Sequence, residues 1–335
     1  MVHPSLDNVV EELSPIAREE LSSFNFRPEH GRKFMLSLFQ ATSWVFQVPN
    51  RTVFKVMGLV CGFLWVVSWL FFIRGYLKSP WWKIVIAGIV LTGPYLQVFF
   101  AHNEVYAPIY VFILWYFILL FSHLKNGKRW QLVAALFVML ALVRMHPLSL
   151  LLIPSWVMVV AHHFFGKKRI VQWLLTWRGI FFTIIVPAFI GGMILYFFIQ
   201  EDYKDPRELK YTSATDRLFL PLISPDPPYD RYNMLSWNHL FDYFNIILFW
   251  STSALLLLGA LVTYFRKKIN WQHLALLMTG LPLFMYSAFL FVFNPLLSMP
   301  MDWDLFSLVF PILMMFIIAL ITQIEPAKNL AHRMV

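Results

Sequence analysis

Charge is scarce in this sequence. Only 13% of its 335 residues are Asp, Glu, Lys or Arg, and it contains a single cysteine, Cys61, inside an apolar run. One thiol excludes a disulfide framework and a cysteine-based zinc site. A Gly-rich phosphate loop of the P-loop or dinucleotide type, a His-Glu-x-x-His helix and a Gly-x-Ser-x-Gly elbow are also missing, so the common signatures of nucleotide, zinc-protease and serine-hydrolase chemistry do not apply. What fills the chain instead is apolar: 59% of residues are hydrophobic and 18% aromatic, against roughly 45–50% apolar in soluble domains. With a mean hydropathy of +0.64, the composition excludes both an ordinary soluble protein and a disordered one. The 27 Lys and Arg against 18 Asp and Glu give a formal +9, but so thin a charge density does not make a nucleic-acid-binding surface, and no nucleic-acid partner is expected.

A bilayer core takes about 20 apolar residues per helix. Nine such stretches are expected to span, at residues 53–73, 83–100, 107–122, 130–143, 147–165, 179–199, 246–265, 272–293 and 305–323. The fold class is therefore an all-α polytopic transmembrane bundle, with short interfacial helices and one larger outer loop at 200–245. The stretch 130–143 is short, and only Arg144-Met145-His146-Pro147 separates it from the next, so one kinked helix is the alternative to two spans. Loop charge favours two spans. Every second loop is basic: Arg74, Lys78 and Lys83; Lys125, Lys128 and Arg129; Lys167, Lys168, Arg169 and Arg178; Arg266, Lys267 and Lys268; Lys328 and Arg333. Cytoplasmic loops retain Lys and Arg, so these loops and the tail 324–335 are assigned to the cytoplasm, and the loops at 101–106, 144–146, 200–245 and 294–304 to the opposite face. On that assignment the cytoplasmic side carries +14 and the outer side −5.

Residues 1–50 then lie outside, although they show neither the basic n-region nor the apolar h-region of a signal peptide. An upstream span is expected to precede this chain, and residues 34–48 read as a helix lying in the interface. A cytoplasmic N-terminal tail, with one span misassigned, is the alternative. The two membrane groups cover 51–199 and 246–323.

Ionisable residues at membrane depth are costly and are retained for function or pairing, and here they gather on the outer side. Glu104 sits in the tight link after 83–100, as a solvated loop carboxylate or a catalytic one. Arg144 and His146 occupy another tight outer turn, either as anchor and helix cap or as phosphate and substrate contacts. The Pro- and Tyr-rich loop 200–245 ends in a segment, Leu235 to Asn245, that reads as a capped helix entering the next span. On it His239, Asp242 and Asn245 share a polar face while Leu240, Phe241 and Phe244 form an apolar one. An interfacial helix with a wet face is the structural alternative to a binding surface. In the last outer loop Asp302 and Asp304 flank Trp303. The carboxylates could hold a divalent cation, act as base and orienter, or bind sugar hydroxyls with Trp303 stacked on a sugar face. They could equally cap the helix that starts at Leu305. His162-His163 reads as an interfacial pair, and Met139, Met145 and Met158 as core filler.

These motifs resemble, in order and spacing over about residues 34–323, the C superfamily of membrane glycosyltransferases. Phe99-Phe100-Ala101-His102-Asn103-Glu104-Val105-Tyr106 is similar to that group's Phe-Phe-Gly-x-x-Glu-x-Tyr turn, and His146-Pro147-Leu148-Ser149 lies where it has a His-x-Ser turn between spans. Phe219-Leu220-Pro221-Leu222, the His239-Leu240-x-Asp242-x-x-Asn245 run and Asp302-Trp303-Asp304-Leu305-Phe306-Ser307 resemble motifs of its bacterial branches. The resemblance implies an inverting transfer of a sugar from a polyprenyl-phosphate donor to a lipid, glycan or protein acceptor at the non-cytoplasmic face of a bacterial inner membrane. Glu104, Asp302 and Asp304 would be the catalytic carboxylates. Arg144, His146, Arg217, His239, Asp242, Asn245 and Trp303 would contact substrate, with Arg144 or Arg217 balancing the phosphate. The family's principal carboxylate follows its first span, and Asp7, Glu11 and Glu12 do not align to it. A lipid or solute transporter is the second class, but it calls for mid-membrane charge and an inverted repeat. The mid-span regions offer only weak polar interruptions such as Ser68, Thr92, Thr183 and Ser287. A non-catalytic scaffold subunit is the third.

Overall fold

The computed structural model describes residues 28–100, 106–165, 179, 219–223, 232–293 and 303–325. Among these the chain is helical: α1 (Pro28–Phe46), α2 (Asn50–Tyr76), α3 (Pro80–Thr92), a 3₁₀ turn (Pro94–Leu96), α4 (Gln97–Phe100), α5 (Tyr106–Asn126), α6 (Arg129–Met145), a second 3₁₀ turn (Pro147–Leu152), α7 (Ile153–Phe165), α8 (Trp237–Phe265), α9 (Leu274–Val292), α10 (Trp303–Ser307) and α11 (Val309–Ile324). Six helical stretches are long and apolar enough to cross a bilayer: Thr52–Tyr76, Tyr106–Asn126, Pro147–Phe165, Trp237–Phe265, Leu274–Val292 and Asp304–Ile324. A seventh is possible in the pair Pro80–Thr92 and Pro94–Phe100, bent by 53°. The protein is thus an integral membrane helix bundle. Of the nine expected stretches, 179–199 is described only at residue 179, and 130–143 falls on α6, whose 17 residues are short for a span.

Prolines set the breaks, because a residue before proline is pushed out of the helical region. Gly93 precedes Pro94 with φ −73 and ψ 147 and bends the second expected stretch. His146 precedes Pro147 with φ −153 and ψ 123, so α6 stops at Met145 and is a separate helix from the one that follows. α1 covers the expected interfacial helix and closes without glycine. Gln47 takes φ +53, and Val48 N–H reaches back to the Ser43 carbonyl at 3.1 Å, the six-residue closure of a Schellman end.

The chain divides into two units, Met1–Leu150 and Leu151–Val335. In the first, α5 is the central helix, lying against both α2 and α6. Its contact with α2 is parallel: Trp115 Nε1 donates to Ser68 Oγ at 2.8 Å and Tyr76 donates to Ser122 Oγ at 3.0 Å. Between those helices sits an aromatic core. Trp65, fully buried, has ring centroids of Trp69, Tyr95, Phe99 and Tyr110 within 5.8 Å. Gly58 makes the core possible, since a Cβ there would stand 2.7 Å from the Phe99 carbonyl oxygen.

In the second unit the last span is central: 83% of its apolar stretch is buried, against 28% for Trp237–Phe265. It lies against α8 and α9, and α9 also meets α7. Pro282 sits inside α9 and has no N–H to give the Met278 carbonyl four residues back. Ser155 of α7 supplies the missing donor, its hydroxyl 2.6 Å from that oxygen. An unmatched carbonyl in an apolar interior is expensive, so this bond fastens α7 to α9. Ser155→Ala should destabilise the protein by about 1–3 kcal/mol. In a Pro282→Ala background, where the helix can close its own bond, the same change should cost under about 1 kcal/mol. Thermal unfolding of the four variants in detergent measures this coupling.

Candidate functional site

The residues singled out in sequence fall into three groups. Glu104, Arg217 and Asp302 lie outside the described residues. Arg144 and His146 belong to the N-terminal unit, and His239, Asp242, Asn245, Trp303 and Asp304 to the C-terminal one.

In the C-terminal unit His239 and Asp242 lie beside the end of α9 and the segment before α8. Ser236 caps α8, accepting the His239 N–H at 3.3 Å, so the expected capped helix and the span beyond it are one continuous element. α9 runs antiparallel to it: Tyr243 donates to the Ser287 carbonyl at 2.8 Å and His239 Nε2 stands 2.8 Å from the Phe291 carbonyl. A carbonyl only accepts, so Nε2 carries the proton and neutral His239 keeps its lone pair on Nδ1. That nitrogen is buried and has no hydrogen-bond partner among the described residues. Tyr232, Tyr243 and Phe291 ring the imidazole, with centroids 5.5, 6.4 and 5.1 Å away.

Helix physics accounts for much of this. The last four carbonyls of a helix lack internal donors. At the end of α9, Phe293 N–H takes the Phe289 carbonyl at 2.9 Å and Leu220 N–H takes that of Val292 at 3.0 Å, while His239 takes that of Phe291. The Phe219-Leu220-Pro221 segment is a clamp on this helix end: Phe219 pairs antiparallel with Phe293, Leu220 is buried, and Met234 N–H donates to the Pro221 carbonyl at 2.9 Å.

One turn along α8, the Tyr232 hydroxyl donates to Asp242 Oδ2 at 2.9 Å. Burial first, and then the adjacent carboxylate, hold the Tyr232 phenol above its ordinary pKa, so it remains a donor at any physiological pH. Tyr232 had no signal in sequence: ten residues before its partner and outside the helix, it obeys no periodicity. Of the polar face of α8, His239 is turned fully inward, Asp242 is half-buried and Asn245 is exposed. His239 is fully buried, while Phe241 and Phe244 are 61% and 58% exposed, the reverse of a soluble amphipathic helix and the arrangement a lipid surround favours.

α10 carries Asp304 and lies against α8. The antiparallel register of α9 and the last span is set by Gly280 beside Phe316 and by Asn270 N–H on Gln323 Oε1 at 2.9 Å. Carried along both helices, it puts Phe291 level with about residue 305. His239, Asp242 and Asp304 therefore share one end of the unit, and the exposed Arg266, Lys267 and Lys268 the other. Buried Asp304 accepts from Leu305 N–H at 2.9 Å, and its carbonyl takes the Ser307 hydroxyl at 2.5 Å. This is the helix-starting geometry expected of a carboxylate in a first turn. Trp303 opens the same helix. No three His, Cys, Asp or Glu side chains gather as metal ligands among the described residues.

In the N-terminal unit the Arg144 guanidinium lies 4.5 Å from the Phe34 ring centroid, tying α6 to α1. His146 Nδ1 accepts the Leu148 N–H at 3.3 Å, with Tyr106 5.7 Å away. Although part of its surface is open, desolvation draws the His146 pKa down to about 4.

Protonating His146 would remove the acceptor for Leu148. Its folded pKa is depressed, so the contribution of the neutral ring is complete above about pH 6.5 and fades as pH falls toward 4. Melting temperature should drop over that window in the wild type and less steeply in His146→Asn. In the other unit, His239→Ala should destabilise by about 1–3 kcal/mol by stranding the Phe291 carbonyl, whereas Asn245→Ala should stay within about 0.5 kcal/mol. Denaturation in detergent reads both. No protein-family model, curated protein or solved structure matches this chain, so its function is read from the residues themselves.

Proposed function

We propose that the protein is a membrane glycosyltransferase-like enzyme that moves a sugar from a polyprenyl-phosphate donor to a lipid, glycan or protein acceptor. The full reading has nine spans in a bacterial inner membrane, the basic loops and C-terminus in the cytoplasm, and the chemistry at the opposite face. The observation that carries it is the separation of chemistry-bearing side chains from cations in the C-terminal unit: His239, Asp242 and Asp304 at one end, Arg266 to Lys268 at the other. The order of the resembling motifs supports the same reading.

In the transfer a carboxylate takes the acceptor hydroxyl proton, the acceptor oxygen forms the new bond to the anomeric carbon, and polyprenyl phosphate departs with the electrons of the broken carbon–oxygen bond. A guanidinium, Arg144 or Arg217, balances the departing phosphate. The Asp304 carboxylate serves the start of its own helix, which leaves Glu104 and Asp302 as the stronger candidates for base. Tyr232, Asp242 and His239 would shape the acceptor side of the site. A divalent cation at Asp302 and Asp304 is the one metal the residues suggest.

A second reading, a non-catalytic membrane subunit, is favoured by the internal use of Asp242 by Tyr232 and of His239 by the end of α9. Proteoliposomes supplied with radiolabelled polyprenyl-phosphate hexoses and pentoses, with membrane extract as acceptor, separate the two. The enzyme should consume a donor, and Glu104→Gln or Asp302→Asn should lower the rate by about 10²–10⁴-fold. An intact, folded protein that consumes no donor, with or without added Mg²⁺ or Mn²⁺, would defeat the proposal in favour of the subunit.

A further inference from the structure

We propose that the basic end of the N-terminal unit is a binding surface for the phosphate headgroup of an anionic phospholipid. Two turns of the chain meet there. Lys125 Nζ, at the end of α5, donates to the Gly75 carbonyl at the end of α2 at 3.0 Å and lies 5.1 Å from the Tyr76 ring centroid. This brings the α2–α3 turn against the α5–α6 turn. The two turns and the helix ends beside them carry Arg74, Lys78, Lys83, Lys125, Lys128 and Arg129, of which Arg74, Lys78, Lys128 and Arg129 are exposed. No carboxylate stands among the described side chains of this unit.

Both helices that begin here have the wrong charge for their own dipoles. α3 and α6 have no acidic residue in the first turn and no side chain bonded at the N-cap, yet Lys83 and Arg129 sit within those turns. Cations beside the positive end of a helix repel it unless an anion intervenes. Six cations and two helix N-termini that lack an acidic first-turn residue and a bonded cap side chain are thus gathered at one end of the unit.

The anion is a lipid headgroup rather than free phosphate because the apolar surface continues from the same points. Trp81 and Trp130, 66% and 59% exposed, stand in the first turn of each helix, the level at which tryptophan marks a membrane interface. Below Trp130, Val133, Phe137 and Leu140 form an exposed stripe along α6, and below Trp81, Ile84 and Leu91 do so along α3. A headgroup on the cations would lay its acyl chains along these stripes. The surface is independent of the proposed enzymatic site.

Thermal unfolding of the purified chain in a zwitterionic detergent, titrated with short-chain phosphatidylglycerol, phosphatidylcholine or inorganic phosphate, tests this. Phosphatidylglycerol should stabilise the wild type saturably and the other two should not. Arg74→Gln/Lys128→Gln/Arg129→Gln should weaken the apparent affinity about a hundredfold, at roughly 1 kcal/mol for each cation removed. Arg266→Gln/Lys267→Gln/Lys268→Gln should leave it within threefold. All six positions are exposed, so both variants should fold, as unchanged melting without lipid will verify. Equal stabilisation by phosphatidylcholine, an equal gain from inorganic phosphate, or full retention by the first triple variant would overturn the proposal.

Discussion

A polar group at membrane depth has no water to fall back on, and α9 shows how closely the C-terminal unit is arranged around that constraint. Three of its carbonyls receive side chains from two neighbouring helices. Ser155 of α7 serves Met278, left without a donor by Pro282. Tyr243 and His239 of α8 serve Ser287 and Phe291. A further bond, from Leu220 to Val292, recruits the Phe219-Leu220-Pro221 segment as a clamp. The bonds to Met278, Phe291 and Val292 compensate backbone groups that would otherwise be stranded in an apolar interior, while Tyr243 is a second donor to a carbonyl inside α9, and together they set the register of α7, α8 and α9. In the N-terminal unit the corresponding work falls to the aromatic set around Trp65, whose packing is non-directional and depends on Gly58 allowing two backbones to approach.

The same constraint bears on function. In the C-terminal unit His239, Asp242 and Asp304 lie at one end, and Arg266, Lys267, Lys268 and Glu325 at the other. His239 is held in one tautomer by a helix carbonyl with its other nitrogen buried, and Asp242 is held by a phenol that stays protonated. These groups are fixed in orientation, as the proposed transfer would require. They are also groups that contribute to the helix contacts, so their removal affects stability as well as any activity, and kinetic effects must be read beside unfolding data.

Much of the architecture was legible because apolar length and loop charge act locally. The stretches at 53–73, 107–122, 147–165, 246–265, 272–293 and 305–323 each fall on a helix fit to span, and Ser236 caps the helix that the polar residues before 246 suggested. The break at His146 was one of two readings left open by Pro147 and was favoured by loop charge, whereas the bend at Gly93 was not read from the sequence. The inward turn of His239 was hidden, because sequence periodicity identifies two faces without saying which meets lipid. Tyr232 on Asp242 and Ser155 on Met278 were hidden for another reason: each joins segments whose proximity depends on tertiary packing. Asp304 accepts from Leu305 N–H at the start of its own helix, the capping role that its place before Leu305 suggested.

Everything said of function rests on the two ends of the C-terminal unit lying on opposite sides of one membrane. Single cysteines at exposed Leu235 and exposed Lys267, introduced after replacing Cys61 with serine, allow a direct measurement with a membrane-impermeant thiol reagent on intact spheroplasts. The expected result is labelling of Leu235→Cys from outside and of Lys267→Cys only after permeabilisation. Labelling of both positions from the same side would contradict it.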